Sequence, residues 1–215
     1  MFTGIIQKTA RITSITRHGA AGLLTVENPW PAPPAKGESI AVNGACLTVV
    51  SANVREVSFD VSRQTLETTT LASAAPGELA NLEPALKVGD DISGHFVTGH
   101  VDGKGTVLAI EEEGDFALLR LEAPGALLAY LVPRGSVAVN GVSLTIATLE
   151  GAAFGIALIP ETLRSTNLHL LRPLDEVNLE ADLLGKYVVR RLDLMQSGGQ
   201  SRQGLSLERL EEMGY

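Results

Sequence analysis

Ser39, Cys46 and Thr48 in the first half of the chain, and Ser143 and Thr145 in the second, are small hydroxyl and thiol side chains gathered around a repeated Asn-Gly pair. Such groups leave room for a flat heterocycle and present donors and acceptors to its carbonyl and imine edges. The plainer alternative is that Ser and Thr on the outer face of a half-covered hairpin simply meet water. His100, beside Gly99, adds a group that titrates near neutrality and can serve as acid or base. His95 stands five residues earlier, on the opposite face of an extended segment, which argues against a shared metal and leaves a hydrogen-bonded histidine as its ordinary role. Asp182, in VNLEAD, reads as a surface carboxylate unless another subunit approaches it.

The elements that position these residues are legible in the same stretches. Asn43-Gly44 lies between two β-like runs, and a type I′ turn needs positive φ at both central residues. The turn places Ser39, Ala41, Cys46 and Thr48 on one face of a hairpin and Ile40, Val42, Ala45, Leu47 and Val49 on the other. Asn140-Gly141 repeats the arrangement, with Ser136, Ala138, Ser143 and Thr145 against Val137, Val139, Val142, Leu144 and Ile146.

The two hairpins belong to an internal duplication. At an offset of 97, six of the nine positions from Ile40 to Thr48 are identical to their counterparts, and Thr65, Leu66, Thr69 and Leu71 match Thr162, Leu163, Thr166 and Leu168. Thr3-Gly4 matches Thr98-Gly99 at an offset of 95, so the second copy begins near Phe96. Beyond the shared core, LKVGDDI (86–92) resembles LRPLDEV (171–177) at an offset of 85, which predicts a longer loop around 72–85 in the first copy. The copies differ in charge: Asp60 and Arg63 stand opposite Ala157 and Pro160, and His100 opposite Ile5. A diverged duplicate of this kind can build one asymmetric site.

Short β-branched segments broken by Gly, Pro and Asn predict small antiparallel β domains. The helical spacing of Leu184, Tyr187, Val188, Arg191, Leu192 and Met195 predicts a carboxy-terminal helix, whose stripe packs on its own barrel or on another chain. QSGGQSRQG (196–204) reads as a linker and SLERLEEMGY as a last turn or short helix. The 215 residues suit two domains of about 100 residues each. A net charge of -8 and 4 % aromatic residues disfavour nucleic-acid binding. A single cysteine excludes an intramolecular disulfide, and no metal-ligating spacing is present. Neither a signal peptide nor a membrane-spanning run is recognisable, so a cytoplasmic protein that does not engage membranes is expected. Dinucleotide, phosphate-loop, serine-hydrolase and zinc-protease motifs are all missing from the sequence.

In order along the chain, MFTGII, VNGACLTV, FDVSRQTL, GHFVTGHVDG, VNGVSLT, IPETLRSTNL and VNLEAD resemble the riboflavin synthase family over about residues 1–190. The resemblance implies an all-β fold of two similar six-stranded antiparallel Greek-key barrels in tandem plus a carboxy-terminal α-helix. It implies boundaries at 1–95, 96–185 and 186–215, a homotrimer gathered by that helix, and a site between the first barrel of one subunit and the second of its neighbour. The implied reaction is the dismutation of two 6,7-dimethyl-8-ribityllumazine molecules to riboflavin and 5-amino-6-ribitylaminouracil, without cofactor or metal. The resemblance also points to a lumazine synthase as a partner. Carried over residue by residue, substrate binding falls on Gly4, Ile5, Ile6, Cys46, Leu47, Thr48, Asp60, Val61, Ser62, Arg63, Gln64 and Thr65 in the first barrel. In the second it falls on Gly99, His100, Val101, Arg134, Ser143, Leu144, Thr145, Ala157, Leu158, Ile159, Pro160, Glu161 and Thr162. Ser39, Cys46, His100, Ser143, Thr145 and Asp182 are the implied catalytic candidates. Asn140 stands where some members carry aspartate, and Arg134 where lysine is common, which keeps the charge but not the geometry. A lumazine or flavin carrier of the same fold is the main alternative. A reductase barrel would need a nucleotide-binding domain that has no room here.

Overall fold

The computed structural model describes residues 1–18 and 21–197. The first barrel contains β1 (Lys8–His18), β2 (Ala21–Glu27), β3 (Ser39–Val42), β4 (Ala45–Ala52), β5 (Glu56–Ser62), the short helix α1 (Arg63–Thr68) and β6 (Leu79–Pro84). Its strands close in the order β1-β2-β5-β4-β3-β6, all pairings antiparallel. The second half contains β7 (Gly103–Glu113), β8 (Phe116–Glu122), α2 (Gly125–Leu128), β9 (Ser136–Val139), β10 (Val142–Thr145), β11 (Thr148–Glu150), β12 (Ala153–Leu158), α3 (Pro160–Ser165) and β13 (Glu176–Ala181). A helix, α4 (Leu183–Ser197), follows.

The second sheet runs β10-β9-β13-β7-β8-β12-β11, seven strands where six are expected. The extra strand arises because the counterpart of the continuous β4 is interrupted at Ile146 and Ala147, leaving β10 and β11 at the two ends of the order. Those two residues still bond across the gap, Ile146 N–H to Gly135 O at 2.9 Å and Ala147 N–H to Gly155 O at 2.8 Å.

Each half fills its own core. Ile40, Val42, Ala45, Leu47 and Val49 lie inside the first, and Val137, Val139, Val142, Leu144 and Ile146 inside the second, as the alternation across both hairpins requires. Both turns have the positive φ pair of a type I′ turn: 46° and 81° at Asn43 and Gly44, 45° and 79° at Asn140 and Gly141.

The repeat keeps the offset of 97 further than the sequence comparison carries it. The segment expected as a longer loop over 72–85 ends in β6, whose Asn81-Leu82-Glu83 occupies the place of Asn178-Leu179-Glu180 in β13. These asparagines clasp the two halves together. Asn81 Nδ2 donates to Asn140 O at 2.9 Å, and Asn178 Nδ2 donates reciprocally to Asn43 O at 2.8 Å. Asn140 Oδ1 accepts from Asn178 N–H at 2.8 Å, so Asn140 is a buried joint and not a proton-transfer group. A third cluster, Phe2, Ala41, Val97 and Ala138, fills the space between the outer faces of the two hairpins. Part of the face read from sequence as ligand-facing or solvated is therefore a domain contact.

In α4 the expected stripe is exposed: Leu184, Tyr187, Val188, Leu192 and Met195 each show at least half of their surface. Of the segments read as linker and final turn (196–204 and 206–215), residues 198–215 lie outside the described residues. Among those described, no helix is long and apolar enough to cross a membrane, and no group of three or more His, Cys, Asp or Glu side chains could hold a metal.

Candidate active site

The amino-terminal segment of each copy leaves its own barrel and lies on the other. Thr3 and Gly4 are anchored by Glu83 of the first barrel, at 2.6 and 2.9 Å from their backbone N–H groups. Gly4 O nevertheless accepts from Ser143 N–H at 2.7 Å, and Ile6 packs against the second core. Thr98 and Gly99 are anchored by Glu180 of the second barrel at 2.7 and 3.0 Å. Gly99 O accepts from Cys46 N–H at 2.8 Å, and Val101 packs against the first core. The carried-over assignment is corrected accordingly: Gly4, Ile5 and Ile6 lie at the second hairpin, and Gly99, His100 and Val101 at the first. At both glycines φ is positive and a Cβ would collide with the facing hairpin residue, 2.5 Å from Cys46 Cβ for Gly99 and 2.7 Å from Ser143 Cβ for Gly4.

Around the first hairpin this exchange encloses a cavity of about 220 Å³. Cys46 of β4, Gln64, Thr65 and Thr68 of α1, and Gly99, His100 and Val101 of the exchanged segment line it. The helix α1 begins here because Ser62 Oγ accepts from Thr65 N–H at 3.1 Å, a side-chain cap that fixes Gln64 and Thr65 over the hairpin. Cys46 and His100 thus share one polar pocket, with the histidine exposed to an arriving ligand.

The counterpart Ser143 is equipped differently. Its Oγ lies 2.7 Å from Nδ1 of His95, while Nε2 of that ring is buried without a hydrogen-bond partner among the described residues. Sequence reasoning leaves His95 outside the site. The signal lies in the glycine beside it, since a Cβ at Gly94 would strike Thr3 O and lie 2.9 Å from Ser143 Cβ, but that contact is visible only in three dimensions. Burial pushes the His95 pKa down, against the opposing charge of Asp182. A depressed folded value means that the unfolded chain takes up the proton first, so stability is lost as pH falls below the ordinary value of 6.5. His95→Asn should remove this loss. Urea midpoints of wild type and variant are expected to diverge progressively as pH falls below 6.5, wild type falling faster. Parallel curves would exclude a buried neutral imidazole.

The other candidates are dispersed. Ser39 faces Thr48 across the base of the first hairpin. It lines a separate apolar groove of about 760 Å³ with Trp30, Pro33 and Leu86. Thr145 faces Ser136 at the equivalent place and is exposed. Leu47, Val61, Leu144 and Leu158 turn their side chains into the cores, so only their backbone can meet a ligand. Asp60 and Ala157 are exposed strand residues. Arg63 pairs with Glu67 at 2.7 Å. Glu161 pairs with Arg164 at 2.7 Å, and the bond from Ser165 together with this arginine holds its carboxyl below the usual range. Ile159 and Pro160 start α3, with Thr162 in its first turns. Arg134 is exposed, at a φ of 64° that L residues adopt at a cost. Asp182 is half-buried at the start of α4, where Oδ1 accepts from Leu184 N–H at 3.0 Å.

Comparison with known proteins matches this duplication. A family model described as the lumazine binding domain covers residues 3–85 and again 98–182. The riboflavin synthase of Bacillus subtilis (strain 168) is 37 % identical, with both chains covered completely. That of Mycobacterium tuberculosis (strain ATCC 25618 / H37Rv) is 38 % identical over 93 % of this chain and all of its own. Among solved structures, LumP complexed with riboflavin superposes with a TM-score of 0.78 at 28 % identity, covering 84 % of this chain and 99 % of LumP. LumP complexed with 6,7-dimethyl-8-(1'-D-ribityl) lumazine gives 0.76 at 28 % identity, with the same coverage. With two copies of the domain, full-length identity to the curated enzymes and the exchanged segments that bind each half to the other, the chain belongs to the riboflavin synthase family.

Proposed function

We propose that the chain converts two molecules of 6,7-dimethyl-8-ribityllumazine into riboflavin and 5-amino-6-ribitylaminouracil, a four-carbon unit passing from one to the other without a cofactor. The observation that carries this reading is the pocket in which Cys46, Gln64 and Thr65 of one repeat face His100 of the other. The C7 methyl of such a lumazine is acidic because its carbanion delocalises into the pyrimidinedione. The protein therefore has chiefly to align two rings and move protons. Cys46 and His100 serve the ring in the first barrel, and Ser143, with Ile5 and Thr145 near, serves the second. Ser39 and Asp182 act where two chains approach.

A cavity of about 220 Å³ is smaller than the roughly 300–1,000 Å³ of complete ligand pockets. Its open side suits completion by the second barrel of a neighbouring chain. The exposed stripe of α4, from Leu184 to Met195, is the surface on which three chains would gather. In this reading residues 1–95 and 96–185 are the two lumazine-binding halves and 186–215 the assembly segment, in a cytoplasmic enzyme.

Purified protein given 6,7-dimethyl-8-ribityllumazine alone is expected to yield riboflavin at half the molar amount of lumazine consumed. His100→Gln is expected to lower the rate on the order of 10²-fold, the usual worth of a positioned acid or base. The superposition on LumP favours a second reading, a non-catalytic carrier. Binding of lumazine without its consumption would establish the carrier and end the catalytic proposal.

A further inference from the structure

The segment bearing His100 is held at two points, and only one has a counterpart in the first copy. Glu180 grips Thr98 and Gly99 as Glu83 grips Thr3 and Gly4. Asp102 N–H donates to Leu179 O at 2.9 Å, as Gln7 N–H donates to Leu82 O at 3.1 Å. At that next position the copies part. Gln7 is exposed and its amide only reaches back to Ile5 O. Asp102 Oδ2 instead accepts from Ala181 N–H at 2.8 Å and pairs with Lys186 Nζ of α4 at 2.7 Å. The two side chains are only 23 % and 25 % exposed, so water screens this pair less than a surface one. Lys186 also lies near enough to Glu180 to favour its charged form. One cation therefore offsets the two carboxylates that fasten both ends of the segment over the first hairpin.

We propose that Lys186 is a positioning residue for the first-barrel pocket: through Asp102 and Glu180 it fixes Gly99 and His100 over Cys46, tying the pocket to the carboxy-terminal helix. The second hairpin, covered by Thr3 to Ile6, has no such tie among the described residues. The functional half of this inference rests on the reading that the first pocket receives a lumazine ring.

Two measurements on the full-length protein test it. In Lys186→Met, amide hydrogen exchange at Gly99 and His100 is expected to quicken about tenfold while exchange at Thr3 and Gly4 is unchanged. Calorimetric titration with riboflavin, which the proposed reaction releases and does not consume, is expected to show about tenfold weaker binding at one of two sites. Lys186→Arg, which keeps the cation beside Asp102 and Glu180, should keep wild-type behaviour in both. Equal quickening across both segments would reduce Lys186 to a general stabiliser and overturn the proposal, as would unchanged exchange at Gly99 and His100. If wild type binds no riboflavin but exchange changes selectively, the tether stands and the reading of the pocket alone falls.

Discussion

Glu180→Leu is expected to cost about 3 kcal/mol of folding stability and to weaken ligand binding in the first barrel. Glu180 is buried, and its carboxylate accepts from Thr98 N–H at 2.7 Å, Thr98 Oγ1 at 2.6 Å and Gly99 N–H at 3.0 Å. Leucine fills a similar volume but accepts nothing, and each buried donor left unpaired costs about 1–3 kcal/mol. Thr98 is half-buried, so water recovers part of that sum. Against a total of about 5–15 kcal/mol this is a large loss. Glu180→Gln separates charge from hydrogen bonding. Its amide oxygen can still serve Thr98, while its NH₂ faces the Gly99 donor, and about half the loss is expected. Burial pushes the Glu180 pKa up, against the bonds from Thr98 and Gly99 and the charge of Lys186. A raised value means that the stabilising contribution is complete below the ordinary 4.5 and declines as pH rises, so at neutral pH a neutral amide is spared part of the desolvation cost. Urea unfolding followed by circular dichroism measures both variants. A leucine variant within about 0.5 kcal/mol of wild type would mean that the 98–99 segment is not held by this carboxylate.

That the two carboxylates do not stand out in the sequence has a specific cause. Asn81-Leu82-Glu83 and Asn178-Leu179-Glu180 repeat at the same offset of 97 as the hairpins, but a chance likeness of 86–92 to 171–177 displaces the alignment just where they lie. The hairpins themselves are legible because Asn-Gly fixes the turn, the turn fixes the register, and the register decides which alternate residues are apolar. The exchange of amino-terminal segments is not. The matching Thr-Gly pairs establish that the segments are equivalent, yet nothing in their residues says which barrel each covers. That choice is made by long-range contacts, Gly4 on Ser143 and Gly99 on Cys46, between residues far apart in the chain. The exposure of α4 is open for a related reason, since an apolar stripe specifies that something covers it and not what.

The exchange has a chemical consequence. Duplication supplies two like hairpins, but exchange gives each one a lining from the other copy, so divergence in a short segment changes the opposite barrel's site. His100 in place of Ile5 puts a titratable group beside Cys46, whereas Ser143 is met by the buried His95. In the proposed function, two like folds would thereby offer unlike surroundings to two identical substrate molecules, as suits a reaction that makes one a donor and the other an acceptor.

The lining that each hairpin receives from the other copy depends on the two keeping their relative placement, and at their tips Gly44 and Gly141 stand against each other. A Cβ at Gly44 would lie 2.8 Å from Gly141 N and 3.0 Å from Gly141 Cα, and one at Gly141 would lie 2.7 Å from Gly44 N. The obstructing atoms are backbone on both sides, so neither can swing away. Gly44→Ala is therefore expected to cost more than the strain of its φ of +81°, which for an L residue is about 1–2 kcal/mol. Gly37 supplies the comparison, with a φ of +93° and no described atom within 4 Å of the place a methyl group would take. Gly37→Ala should show the backbone strain alone. Gly44→Ala adds separation of the tips and loosening of the Asn43 and Asn178 bond that spans them, for a total of about 3–4 kcal/mol and loss of most of the riboflavin-forming activity. If the two alanine variants unfold at the same urea concentration, the tips can part without cost, and the clasp between the halves is not what keeps each exchanged segment over its hairpin.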